Sequence, residues 1–453
     1  RSPFLKTYLL AAVAVGFGAY LYFVESKREP ASPEKPKEKV FAALKDARDK
    51  VKEVTLAGTA ETIQLVKGSE GWRLVAPQSV KADPVEVDSL LGSLESLETD
   101  DVVSETPGDL AQYGLAQPHT TVTVVREGSP DALRVQLGDK TPDGSAVYAR
   151  LPTSARVFTI ASWGATSLDK KPFDLRDRSL VRLKRDEVKS LEVTTPAESY
   201  ALARGEHGEW TFTRPLSTLA GRWSVDGLLG ALEGLRMESV ASEDARELKP
   251  YGLDQPAFRV VLGLADGTSR TLEIGSAAGD QKHHAREASS RLVAVIPGAV
   301  VEDLGKGMKE LRAKRLLEVS AYEVEGFDVE AGGAKRVYAR SSTKDQEGID
   351  VYHWKRTAPD AADLETKKVQ DALFLIGGAE AAGFVDAPAA PAQYGLAPPA
   401  LRVTVRHEGG KAPLTFELGS QGGTWYARRG GDQALLELPP AKAEELVKTF
   451  SAL

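Results

Sequence analysis

Cysteine is absent from this 453-residue chain. Its absence excludes disulfides, a thiolate metal site, a cysteine nucleophile and a lipid-modified N-terminal cysteine. An excess of basic residues is absent too: Lys and Arg number 58 against 65 Asp and Glu. A nucleic-acid binder would carry a basic face, so nucleic acid is not an expected partner. Histidine is scarce, at six residues. His283 and His284 are adjacent, so on a strand they point to opposite faces and cannot share a metal. His119, His207, His353 and His407 stand apart in sequence, which makes solvated or structural roles the default. No G-x-S-x-G elbow occurs, and "LGKGM" around Lys306 lacks the upstream Gly and the following Ser/Thr of a phosphate-binding loop. The expectation is a non-enzyme with no catalytic, cofactor-binding or metal-ligating residues. Any ATP hydrolysis would come from a partner.

What is present begins with an apolar run. Thr7–Val24, "TYLLAAVAVGFGAYLYFV", contains no charge. At about 1.5 Å per residue it reaches roughly 27 Å, near the thickness of a bilayer core. Tyr8, Tyr20 and Tyr22 sit at interfacial positions, and Lys6 can snorkel. A cleaved signal peptide is the alternative, but no small-x-small site follows the run. The expectation is one transmembrane helix over 7–24, with 1–6 as a cytoplasmic end. Ala12, Gly16 and Ala19 share a helix face of small residues, which suits packing against another membrane helix. Residues 25–39, "ESKREPASPEKPKEK", are Pro-rich and charged and read as an extended spacer.

The remainder repeats three times. Trp72, Trp210 and Trp354 are each followed five residues later by Pro77, Pro215 and Pro359. Val87, Val225 and Val369 then open Leu-rich or Ile-rich segments with helical spacing. A phrase "YGL" follows: Tyr113-Gly114-Leu115, Tyr251-Gly252-Leu253 and Tyr394-Gly395-Leu396. Its distance from the Trp is constant to within one residue. Further on come Gly138, Gly275 and Gly419, then "YAR" at Tyr148, "HAR" at His284 and "YAR" at Tyr426. Landmarks kept in register over such lengths mark tandem copies of one domain of about 140 residues. Apolar–polar alternation before the helix and after YGL predicts antiparallel strands, and a last helix closes each copy. The fold class is therefore α+β, with repeats at 40–179, 180–316 and 317–453.

Two readings of these landmarks compete. YGL reads as a helix end with Gly left-handed and Pro118 beyond it; the other reading is a shared ligand corner. In copy three Pro391 takes the place of Leu110 and Leu248, so a different turn is expected there. The three Trp residues read as core, with an exposed binding platform as the alternative. Arg150, Arg286 and Arg428 suggest cross-strand ion pairs before an anion site.

The Trp-to-Pro spacing, the Leu-rich helix, YGL-x-x-P, and a closing "PFDLRDRSL" at Pro172–Leu180 resemble the bacterial domain-of-unknown-function 4340 family. "KELRAKRLL" at Lys309–Leu317 repeats the closing phrase weakly. The resemblance spans about residues 40–453 and implies no reaction. Such proteins are encoded beside gliding-type ABC transporter subunits. The resemblance therefore implies an inner-membrane, single-pass protein with its bulk in the periplasm. Expected partners are the membrane and the transporter's permease and auxiliary subunits. Positive charges follow the apolar run (Lys27, Arg28, Lys35, Lys37, Lys39), and counting alone would favour the opposite orientation; long folded domains translocate regardless. Short joints between copies suggest a stiff, elongated arm. The alternative is a free-standing envelope scaffold or adhesin-like module that binds peptidoglycan, polysaccharide or an outer-membrane protein.

Overall fold

The computed structural model describes residues 37–453, together with Gly16 and Tyr20. The apolar run 7–24 therefore lies outside the described residues except for those two, which are helical and exposed. Ala12 and Ala19 of the small-residue face fall outside as well. No helix among the described residues is long and apolar enough to cross a membrane. Glu38 and Lys39, assigned above to the spacer, already belong to the folded part: Thr99 N–H donates to Glu38 O at 2.8 Å, and Lys39 pairs with Glu98 at 2.8 Å.

In copy one the chain forms nine strands: β1 (Val51–Gly58), β2 (Thr62–Gly68), β3 (Gly71–Ala76), β4 (Val80–Lys81), β5 (Val102–Ser104), β6 (Thr120–Arg126), β7 (Leu133–Lys140), β8 (Ala146–Arg150) and β9 (Val157–Ala161). They build one antiparallel sheet in the order β4-β3-β2-β1-β6-β7-β8-β9-β5. Residues 188–297 and 324–438 repeat that order in two further nine-stranded sheets. Two meanders thus run outward from the central pair β1–β6, and the long helix carries the chain from one edge of the sheet to the other.

That helix is Pro84–Ser96 in copy one, Arg222–Glu233 in copy two and Thr366–Gly377 in copy three. Asp83 caps the first: its carboxylate accepts from Val85 N–H at 2.9 Å and Glu86 N–H at 3.3 Å, and Pro84 takes the first helical position. Val87, Leu90, Leu91 and Leu94 are buried; so are Val225, Leu228, Leu229 and Leu232, and Val369, Ala372, Leu373 and Ile376. Each of the larger side chains is worth about 1.5–3 kcal/mol of burial. These stripes face one side of each sheet, where Val54, Leu56, Val122 and Val135 of copy one meet them. Phe327, Val403 and Phe416 do the same in copy three.

The chain divides into two compact units, 1–178 and 179–453, the second holding copies two and three. Within the second unit the connection between copies is not a helix running directly into a strand. The closing helix of copy two breaks at Gly307 (φ +66°) into Ala299–Gly305 and Gly307–Leu311, and the next strand begins only at Val324. The intervening segment 312–323 is tied to both copies. Ala313 N–H donates to Leu219 O at 3.0 Å, and Leu316 N–H donates to Ala379 O at 2.8 Å.

Candidate functional site

Each YGL phrase is one turn of 3-10 helix closed by a left-handed glycine: Gly114 (φ 65°), Gly252 (φ 64°) and Gly395 (φ 67°). The two bonds of a Schellman end recur in all three. Gly114 N–H donates to Ala111 O and Leu115 N–H to Leu110 O; Gly252 and Leu253 donate to Lys249 O and Leu248 O. In copy three Gly395 donates to Ala392 O and Leu396 to Pro391 O. The expectation that Pro391 forces a different turn is thus corrected. That position contributes only its carbonyl, and proline lacks the N–H but keeps the C=O.

The turn lies on a second glycine. A Cβ on Gly138 would fall 2.1 Å from Tyr113 O; on Gly275, 2.2 Å from Tyr251 O; on Gly419, 2.3 Å from Gly395 O. Conversely, a Cβ on the turn glycine would meet the next strand residue's amide nitrogen, of Asp139, Ser276 or Ser420, at 2.7 Å. Backbone therefore touches backbone, and neither position has room for a side chain. The YGL tyrosine packs edge-on against the aromatic of the following strand: Tyr113 on Tyr148 (5.1 Å), Tyr251 on His284 (5.1 Å) and Tyr394 on Tyr426 (4.9 Å). Landmarks scattered along each copy converge in one packed corner. Leu115, Leu253 and Leu396 are buried beneath it.

Other landmarks are also engaged by the protein itself. Trp210 and Trp354 are buried, whereas Trp72 is half-buried against the core of copy one. Arg286 Nε donates to Glu273 at 2.8 Å, and Arg428 Nε donates to Glu417 at 2.6 Å. Arg402 holds the other oxygen of Glu417 at 2.7 Å, which holds its own pKa above the ordinary guanidinium value. Copy one replaces the carboxylate by Gln136, which accepts from Arg150 at 2.8 Å. The closing "LR" phrase returns to the start of the long helix: Asp83 N–H donates to Leu175 O, and Gly221 N–H to Leu311 O. Arg312, almost fully buried, stacks on Phe384 (3.9 Å) and pairs with Asp386 at 2.6 Å, joining copy two to copy three.

The copies also differ from one another. Copy one has a cleft of about 680 Å³ whose floor includes Leu56, Ile63, Leu137 and Val147. Its closing helix, Ser162–Ser167, is short; in copy three the corresponding helix runs Pro440–Ala452, and Leu446 and Phe450 fill the core. The cleft wall carries His119, whose Nε2 lies 2.6 Å from Asp139 Oδ1. His119 stands apart from other histidines and from Asp139 in sequence; the β6–β7 hairpin brings the pair together. His119 N–H donates to Leu137 O, so the register of that hairpin was the signal. Ala257 and Ser276, and Ala400 and Ser420, occupy the equivalent places in copies two and three. Both partners are about half exposed, so the pair contributes at most about 1 kcal/mol of stability. The Ser162 hydroxyl, also on the wall, donates to Gly144 O. No group of three or more His, Asp or Glu able to hold a metal occurs among the described residues.

Among solved structures the chain is similar to the DNA polymerase sliding clamp from Pseudomonas aeruginosa, at 7% identity over 86% of this chain and 91% of that one, with a TM-score of 0.16. It is also similar to a Ca2+-stabilized adhesin of an Antarctic bacterium, at 10% identity over 87% of this chain and 83% of that one, with a TM-score of 0.09. Likenesses this slight carry no argument. No curated protein matches the chain. A family model described as a domain of unknown function (DUF4340) matches residues 72–220, 210–392 and 354–453. Each match spans one of the Trp–helix–YGL frames or continues into the next. The chain belongs to the DUF4340 family, whose domain it carries in three tandem copies.

Proposed function

We propose that this protein is a non-enzymatic, membrane-anchored periplasmic accessory subunit of an ABC-type transporter complex, in which the tandem sheets serve as an arm or scaffold. One observation carries the non-enzymatic part: the residues that recur in all three copies are taken up by packing. The YGL corner, the strand glycine and the paired aromatics all hold backbone in place, and the closing phrase does the same in copies one and two. A frame built three times with different surface residues supports a role in holding partners. The transporter association rests on the company such proteins keep, and the anchor on the apolar run at 7–24. Detergent extraction and affinity purification of the full chain test it. A permease and an ATPase should co-purify in fixed ratio, and recovery of the chain alone would refute the association. A reporter active only outside the cytoplasm, fused after Leu453, tests the orientation.

The cleft of copy one favours a second reading, an envelope scaffold that grips a polymer. Its wall adds Lys140, Lys170 and Lys171 to the His119–Asp139 pair. Co-sedimentation with purified peptidoglycan that is lost in His119→Ala would support this reading over the first.

A further inference from the structure

The cleft of copy one is a place that the other two copies close with groups of their own. In the sheet register Leu56 faces Ile63, Val193 faces Tyr200 and Val329 faces Arg336, so Ile63, Tyr200 and Arg336 hold one position of the frame. In copy two the Tyr200 ring is buried there. The turn before it adds a bond: Glu198 Oε1 accepts from Met308 N–H at 2.8 Å, at the start of helix Gly307–Leu311. In copy three Arg336 Nη1 reaches across to Ser451 O at 2.8 Å, and Phe450 of the closing helix is fully buried.

Copy one has neither closure. Ile63 is smaller than tyrosine or arginine. Arg176 and Arg312 make matching bridges, to Ala82 and Ala220, which sets Pro172 in the place of Met308. Proline has no N–H to give, and the side chain of Glu61, the counterpart of Glu198, has no hydrogen bond or ion pair among the described residues. What remains is an open cleft above Leu56, Ile63, Leu137, Val147 and Leu168, each 2–6% exposed. Four charges around it have no ion pair among the described residues: Glu61 and Asp169, Lys140 and Lys171. Lys170 lies 3.9 Å from Glu86, and Asp139 is taken by His119. Two charges of each sign give no preference for a uniformly charged chain. The chemistry that fits is the one copy two uses, a large apolar side chain over the floor and a backbone N–H on the carboxylate of the turn. A helix N-terminus offers both: its first N–H groups have no partner within the helix, and its positive end favours a carboxylate.

We propose that this cleft docks the N-terminal turn of a helix from a partner protein, with a large apolar side chain in the place of the Tyr200 ring and a backbone N–H donating to Glu61. The inference deepens the reading of the protein as a holder of partners and rests on it, but it does not depend on which complex supplies the helix.

The probe is an acetylated peptide with the sequence of residues 306–317, which carries Met308 and the turn that Glu198 holds, labelled with a fluorophore at its C-terminal end. A second peptide carries Met308→Phe. Added to the full chain, both should bind saturably by fluorescence anisotropy, the second at least about threefold more tightly, because Ile63 leaves the room of an aromatic ring. Binding should move the Ile63 methyl resonances. Ile63→Tyr, a side chain the frame already accommodates in copy two, should lower affinity at least about tenfold by filling the cleft. Glu61→Ala should lower it roughly three- to tenfold, the loss of one hydrogen bond. No saturable binding of the Met308→Phe peptide overturns the proposal. So does binding that leaves the Ile63 resonances unmoved, a readout that needs no variant, and so does equal affinity in Ile63→Tyr. Retention of peptidoglycan that Ile63→Tyr abolishes, with neither peptide bound, gives the cleft to a polymer and overturns it as well. Failure of the peptides to bind leaves co-purification of a permease and an ATPase untouched, so loss of this site and loss of the accessory-subunit reading are told apart.

Discussion

Replacing Gly275 by alanine puts a Cβ 2.2 Å from Tyr251 O, 2.8 Å from Gly252 O and 2.9 Å from Gly252 C. Ordinary contact begins at 3.4 Å, so the strand and the turn must part by roughly 1 Å. All three obstructing atoms are backbone, and no rotamer can relieve them. Over-packing of this kind costs about 1–3 kcal/mol. The displaced turn also weakens the bonds from Gly252 and Leu253, which are worth about 1 kcal/mol each. A local loss of about 2–4 kcal/mol is expected, equivalent to roughly thirty- to thousandfold faster amide exchange. Hydrogen–deuterium exchange on the full chain resolves this, because peptides covering 248–253 and 270–277 report the corner without requiring the copies to unfold together. Gly227→Ala is the control. Gly227 lies exposed in helix Arg222–Glu233 with nothing within 4 Å of a new Cβ, so alanine should stabilise that helix by up to about 1 kcal/mol. Protection at the corner unchanged by Gly275→Ala would refute the reading of YGL as a backbone-on-backbone clamp.

Three further outcomes are expected. Glu417→Gln leaves Arg402 and Arg428 facing each other across a neutral amide; with both arginines more than a third exposed, a loss of about 1–2 kcal/mol is expected in denaturant unfolding, and an unchanged midpoint would contradict a stabilising role for the Arg402–Glu417–Arg428 pairing. Burial, with Lys411 next, lowers the pKa of His407, while Glu323 and Glu325 oppose. The unfolded chain then binds the proton more readily, so the contribution is fully present above about pH 6.5 and is lost as pH falls below it. His407→Leu should flatten that slope, and an identical slope would exclude His407 as its source. Burial pushes the Tyr200 hydroxyl pKa well above the ordinary tyrosine value, and its oxygen has no hydrogen-bond partner among the described residues. Tyr200→Phe keeps the edge contact with Phe212 (5.8 Å) and should raise stability by about 1 kcal/mol in thermal unfolding, so a loss of similar size would mean the hydroxyl is paired.

The repeat count, the family and the strand-and-helix content were determined by sequence, because each rests on local periodicity and on landmarks in register. Val87, Leu90, Leu91 and Leu94 fall on one helix face at any tertiary arrangement. The reason for the landmarks was not readable that way. Gly114 advertises a left-handed turn, but only the sheet brings Gly138 beneath it, and only then does the second glycine acquire a cause. Pro391 misled for a related reason: a proline removes a donor, and sequence does not say whether donor or acceptor is needed at that place until the turn is built. The His119–Asp139 pair, the cleft left by a short closing helix, and the buried His407 between two copies are all products of strand register and inter-copy packing. Distances between residues far apart in the chain are set by which strands neighbour one another, and that choice belongs to the folded structure as a whole.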